Sequence, residues 1–151
     1  MLSRSQKQLI ARFPLGCIAT VSSQGRPMVS PKGTFLVVDD KTIGFGHIRS
    51  PQTLSNLRAN SACEIVFTDP FTRKAVRVAG NAQIMIRSDA KFSDLIALWQ
   101  NIWGALARRI RALVLIDIAA CADLTTPPYD DGITEAEMIS VYQAKYKEIY
   151  P

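Results

Sequence analysis

The spacing of apolar positions changes several times along the chain, and each change marks an element. From Ser3 to Phe13, residues Leu9, Ile10 and Phe13 recur at helical intervals, with Ser3 placed to cap the helix and Pro14 to stop it. The stretch GCIATVSSQGRPMVSPKGTFLVVDDKTIGFGHI then reads as a β meander with strand runs at 16–22, 27–30, 33–38 and 42–48. Gln24-Gly25 and Asp39-Asp40-Lys41 supply its turns. In SPQTLSNLRAN the period becomes helical again: Ser50 can cap, Pro51 takes the first helical position, and Leu54 and Leu57 face inward.

ACEIVFTD predicts another strand, and after the Asp69-Pro70 turn RKAVRVAGNAQIMIRS alternates as one long strand, bent or bulged at Gly80. Asp89 to Ala107 is the best helical pattern in the chain, and its apolar face is broad enough for burial on more than one side, as at a core or a subunit contact. Trp99 and Trp103, four residues apart on that helix, read as packing residues. IRALVLIDIAA reads as a central strand, in which Asp117 calls for a buried partner such as a nearby arginine. Pro127, Pro128 and Tyr129 suit an ordered linker better than a lid, and Thr134 to Tyr150 is helical, opened by a Thr134–Glu137 capping box. This order argues for a mostly β architecture, a small antiparallel barrel with peripheral α helices. The strand-helix alternation of a doubly wound sheet is absent.

A chain of 151 residues, 48% hydrophobic and 21% charged, fits a single domain spanning 1–151, with the barrel at about 13–120 and a C-terminal helix at about 134–150. No apolar run approaches the roughly 18 residues that would span a bilayer. The opening MLSRSQKQLIARF is polar where a signal peptide needs its apolar stretch, so a cytoplasmic protein without a membrane partner is expected. Cys17, Cys63 and Cys121 are odd in number and widely spaced, which speaks against a disulfide framework. With His47 as the single histidine and no Cys-x-x-Cys pair, an ordinary zinc site lacks its ligands.

Charge is unevenly distributed. Residues 1–116 carry 16 basic against 6 acidic side chains, residues 117–151 carry 2 against 7, and the net is +5. Either the acidic tail folds back on a basic body, or the body binds an anion. A phosphorylated small molecule fits better than nucleic acid, because the positive residues are scattered and do not alternate with aromatics. The densest group, Arg108, Arg109 and Arg111, falls at an expected helix end, where cations suit the macrodipole.

Self-contained catalytic patterns are missing. No serine sits in a Gly-x-Ser-x-Gly elbow, no phosphate loop of the Gly-x-x-x-x-Gly-Lys type occurs, and Gly44-Phe45-Gly46 is a pair of strand glycines. Reactivity, if present, would come from a bound cofactor. Two segments stand out. In Val29-Ser30-Pro31-Lys32-Gly33 the alternation breaks and leaves a lysine beside a glycine. In His47-Ile48-Arg49-Ser50-Pro51-Gln52-Thr53, Arg49, Ser50 and Thr53 gather at a helix start, where free amides and the dipole favour phosphate. The two make a phosphate clamp, or else Ser50 only caps, Arg49 is solvated and Lys32 is a turn residue.

The sequence of segments LGCIATVSSQGRPMVSPKG, IGFGHIRSPQTLSNLRANSACEIVF and VRVAGNAQI resembles the pyridoxamine 5'-phosphate oxidase-like flavoproteins, the FMN-binding split barrels, from about Phe13 to Ile86. The resemblance implies a six-stranded antiparallel split β-barrel that forms a homodimer with FMN at the subunit interface. It implies that Val29, Ser30 and Lys32 line the flavin, and that His47, Ile48, Arg49, Ser50 and Thr53 hold the ring edge and the phosphate. Arg73, Lys74 and Arg77 are candidates, by position, to reach a partner's site. The implied activity is an FMN-dependent oxidoreductase on an unidentified small molecule, with a nicotinamide or deazaflavin electron donor. The alternative is a non-catalytic carrier of flavin, haem or deazaflavin on the same fold. The family's oxidases end in an arginine- and histidine-bearing substrate segment, whereas the tail VYQAKYKEIYP has neither residue, which leaves vitamin B6 phosphate in doubt as the substrate.

Overall fold

The computed structural model describes residues 1–151 and contains one antiparallel sheet, ordered β2-β1-β5-β6-β7-β4-β3. Its strands are β1 (Gly16–Val21), β2 (Pro27–Lys32), β3 (Phe35–Asp39), β4 (Thr42–His47), β5 (Ala62–Thr68), β6 (Ala75–Ile86) and β7 (Ala112–Leu124). β2 and β3 are the two edges of the sheet, yet only Gly33 and Thr34 separate them along the chain. Two residues span at most about 7 Å. The sheet must therefore curl until its edges meet, which makes a barrel with an unpaired seam between β2 and β3. The sheet has seven strands where the family resemblance implied six, and they correspond to the seven strand runs of the sequence.

β2 runs through Ser30 and Pro31 to Lys32, paired with β1 from Gly16↔Lys32 to Val21↔Pro27, so the alternation does not break where the sequence suggested. Pro31 is tolerated because an edge strand has one side without a ladder partner. Gly80 is the expected irregularity: the β6–β7 register shifts between Ala79 and Gly80, and a Cβ there would collide with the carbonyl oxygen of Asp117. Asp117 itself is exposed and accepts a 2.7 Å hydrogen bond from Gln83 Nε2, so the expected buried arginine partner does not exist. Along β7 the even positions Ala112, Val114 and Ile116 enter the barrel core and the odd positions face outward. Strand alternation therefore turns this carboxylate to solvent, beyond Leu113 and Leu115 on the outer face that packs with Trp99.

Inside the barrel Phe35 meets Phe45 and Phe67 edge-on, with ring centroids 5.1 and 4.9 Å apart, among Ile18, Ile43 and Ile65. Helix α1 (Arg4–Arg12) closes one end with fully buried Ile10 and opens with a Ser3–Gln6 capping box. Helix α2 (Pro51–Ala59) adds Leu54 and Leu57 to the same core. Helix α3 (Phe92–Trp103) packs outside the barrel in a second cluster, with Trp99 fully buried beside Leu36, Ile110 and Leu113. It is shorter than expected, because Gly104 adopts φ 50° and hands the chain to a 3-10 segment, Gly104–Arg109. Helix α4 (Glu135–Ile149) begins at the expected Thr134–Glu137 capping box. The Pro127–Tyr129 turn before it is tied down by a 2.6 Å hydrogen bond from the Tyr129 hydroxyl to the Thr72 carbonyl.

Candidate functional site

The seam concentrates the residues that the sequence singled out. Even-numbered positions of β2 face inward and odd ones outward, so Ser30 and Lys32 share a face whereas the side chain of Val29, 67% exposed, points away from them. Thr34 fastens the seam to β4: its hydroxyl donates to the Gly46 carbonyl at 3.1 Å and accepts the Gly46 amide at 3.0 Å. Trp99 Nε1 donates to the Thr34 carbonyl at 2.8 Å, so α3 grips the same point from outside. The end of β4 and the start of α2 are thereby set beside the end of β2.

Lys32 is the centre of this arrangement. Its side chain is buried, and its ammonium donates to Ser30 Oγ at 2.6 Å and Ser50 Oγ at 2.7 Å. The ion pairs present, Lys7–Asp40 and Lys74–Glu135, do not include it. Burial lowers its pKa, as expected for an ammonium removed from water without a carboxylate. Two hydroxyl acceptors leave one of the three ammonium donors for a ligand. Ser50 precedes α2 but does not cap it: its hydroxyl donates to the Arg49 carbonyl at 2.6 Å and accepts from Lys32. The first-turn amides of α2 consequently keep their unshared donors and their positive end of the helix dipole.

His47 stands where β4 ends. Its pKa is lowered by burial, and further by the positive charges of Lys32, Arg111 and Arg58, so the ring is neutral near physiological pH. Its Nδ1 is buried without a hydrogen-bond partner, an unsatisfied polar atom beside the lysine. Thr53 is buried in the first turn of α2. One turn on, buried Asn56 donates to Thr20 Oγ1 at 3.0 Å and accepts from Gln52 Nε2 at 2.9 Å, a polar support that no sequence motif marks because Thr20 lies 36 residues away along the chain.

Ile48 and Arg49 turn toward a different hollow, of about 280 Å³, which they line with Arg87, Arg108, Arg109 and Arg111. Arg108 and Arg109 do fall at a helix end, the last turn of the 3-10 segment Gly104–Arg109 that follows α3, and they also line this hollow. Of the three candidates, Arg73 and Lys74 precede β6 and only Arg77 lies on it. Lys74 is paired with Glu135 at 2.6 Å and Arg73 lies 4.8 Å from the ring centroid of Tyr142, so both contact the C-terminal helix, whereas exposed Arg77 makes no such contact.

Chemically, the seam offers a buried cation, two hydroxyls and a helix N-terminus converging on one side, which suits a phosphate dianion. The neutral, unpartnered imidazole next to it can exchange a hydrogen bond with the polar edge of a heterocycle. The residues thus fit a flavin nucleotide. No helix is long and apolar enough to cross a membrane.

Three solved structures share the architecture. HupZ of Group A Streptococcus is 27% identical with a TM-score of 0.72, covering 83% of this chain and 96% of that one. HutZ, the haem storage protein of Vibrio cholerae, is 20% identical with a TM-score of 0.65, over 82% and 94% of the two chains. A pyridoxamine 5'-phosphate oxidase-related, FMN-binding protein of Nostoc punctiforme is 20% identical with a TM-score of 0.62, over 83% and 86%. No curated protein matches the chain. The family profile described as pyridoxamine 5'-phosphate oxidase matches residues 2–121, which takes in the barrel except the last three residues of β7. With the seam, the split sheet and that match in place, the chain belongs to the pyridoxamine 5'-phosphate oxidase family.

Proposed function

We propose that the chain binds FMN at the β2–β3 seam and serves as an FMN-dependent oxidoreductase for a small molecule. The observation that carries this reading is the buried Lys32 ammonium, held by Ser30 and Ser50 at the start of α2 without a carboxylate. In it, Lys32, Ser30, Ser50 and Thr53 hold the phosphate, Arg49 reaches it from the rim of the neighbouring arginine hollow, His47 borders the ring with Ile48 beside it, and Val29 contributes backbone. Bound FMN would supply two-electron transfer at its N5, driven by a nicotinamide or deazaflavin donor. The protein's own share is placement: the neutral His47 offers a hydrogen bond, and the rigid Thr34–Trp99 stitch keeps the cradle in register.

A homodimer completes this reading. The row Val29, Ala19, Glu64, Ala79 and Ala120 runs across five paired strands on the outer face of the sheet, where no helix covers it. Small side chains make that face flat enough for a second copy, and β2 lies at its edge, so a partner there would border the seam.

The test is a titration of the purified chain with FMN, followed by absorbance. Arg49→Ala, which removes a charge-assisted phosphate contact, is expected to weaken binding about tenfold or more without changing the fold. Unaltered affinity would discard the clamp. Anaerobic addition of reduced nicotinamide or reduced deazaflavin should then bleach the bound flavin, and a flavin inert to both would assign the site to a carrier.

A further inference from the structure

We infer that the arginine pocket beside the seam is a second anion site, built for the pyrophosphate group of a small molecule, which shares only Arg49, on its rim, with the proposed Lys32 cradle. Arg49, Arg87, Arg108, Arg109 and Arg111 line it together with Ile48, and no Asp or Glu does. None of the five takes part in an ion pair. Their positions are set by main chain from three distant segments. Arg87, just past the end of β6, donates from Nε and Nη2 to the Ile110 carbonyl at 3.2 and 2.7 Å, and from Nη2 to the Arg108 carbonyl at 2.9 Å. The Arg111 amide donates to the His47 carbonyl at 2.9 Å, which prolongs the β4–β7 ladder by one bond and sets Arg111 beside the strand that leads to Arg49. The left-handed turn at Gly104 ends α3 early and brings Arg108 and Arg109 back over this corner.

Five like charges held together without a counter-charge repel one another, and an anion relieves that repulsion. Arg87 commits its fork to the Ile110 and Arg108 carbonyls, which leaves the forks of Arg49, Arg108, Arg109 and Arg111 for a ligand. Guanidinium forks bind phosphate oxygens two at a time, so four of them match two linked phosphates better than one. At about 280 Å³ the hollow falls short of the roughly 300–1,000 Å³ that encloses a whole drug-sized ligand, so it receives an end group. A dinucleotide and a nucleoside diphosphate both carry that group.

The experiment is calorimetric titration of the full chain with inorganic pyrophosphate, with inorganic phosphate as comparison, in the wild type and in the double variant Arg108→Gln/Arg109→Gln. Both side chains are exposed and neither touches Lys32, so the fold should survive, as circular dichroism would record. Pyrophosphate should bind about tenfold or more tightly than phosphate and lose about tenfold or more in the double variant, while FMN affinity stays within about twofold. If pyrophosphate binds no better than phosphate, or is indifferent to the double variant, the inference fails. It fails too if FMN affinity falls in step, because the pocket would then be the flavin phosphate's own site. If FMN does not bind at all and pyrophosphate behaves as stated, the proposed function falls and the second site stands. ADP and a nicotinamide dinucleotide, used as competitors, show which source of the group is preferred. Displacement by a single-stranded oligonucleotide in preference to both would overturn the assignment to a small molecule.

Discussion

Lys32 is held by two hydroxyls alone, and that single fact separates stability from function at this position. A buried ammonium lowers the stability of a chain without ligand, whereas the same ammonium strengthens the binding of an anion. Lys32→Met keeps an unbranched chain of similar length. Its melting temperature without FMN is expected to equal or exceed that of the wild type, while FMN affinity falls about tenfold or more. A coincident drop in both would show that the lysine is a structural residue. His47 gives a pH dependence whose sign follows from its lowered pKa. Its stabilising share is complete above the ordinary value of 6.5, and it declines as pH falls from there toward the folded-state value, since the unfolded chain then takes up the proton more readily. Urea midpoints at about pH 7.5 and about pH 5 should therefore differ less in His47→Gln than in the wild type.

Helix α3 has two apolar sides with different fates. Trp99 is fully buried and bonded to the Thr34 carbonyl, whereas Ile102 is 61% exposed on the far side. Trp99→Phe leaves that carbonyl without its donor, for a loss of about 1–3 kcal/mol, and adds a cavity on top. Because Thr34 fastens the seam, the variant should also weaken FMN binding. Ile102→Ser, by contrast, should change the thermal midpoint of the isolated chain by little, within about 0.5 kcal/mol. The breadth of the apolar face was legible in the sequence, and so were the capping boxes at Ser3 and Thr134, since both signals are local. The early end of α3 was not, because Gly104 is tolerated inside helices and only its position after the packed Trp99–Trp103 turn makes it a stop.

At the scale of the molecule, the acidic tail returns to the basic body. Lys74 pairs with Glu135, Gln6 donates to Asp123 at 3.1 Å, and Tyr129 reaches Thr72. These contacts gather on the side of the chain ends and leave the small-residue face of β1, β5, β6 and β7 open, with a shallow hollow of about 480 Å³ bordered by Ala19, Ala62 and Ala79. Ala120→Glu places a second carboxylate near Glu64 on that face without disturbing the core. Sedimentation velocity should find the wild type dimeric and this variant monomeric, with an unchanged circular dichroism spectrum and weaker FMN binding. A variant that remains dimeric would place the subunit contact elsewhere.

The order of strands and helices, the inserted α2 and the two polar segments that carry Lys32 and Ser50 were set by local pattern: period, turn residues and helix starts act within a few positions of themselves. Tertiary structure alone decided three things. It made the two edges of the sheet neighbours, it left the outer face of β7 uncovered at Asp117, and it drew Arg87 to Arg108, Arg109 and Arg111. Each depends on which strand lies beside which, and strand pairing joins residues whose distance along the chain carries no periodic signal.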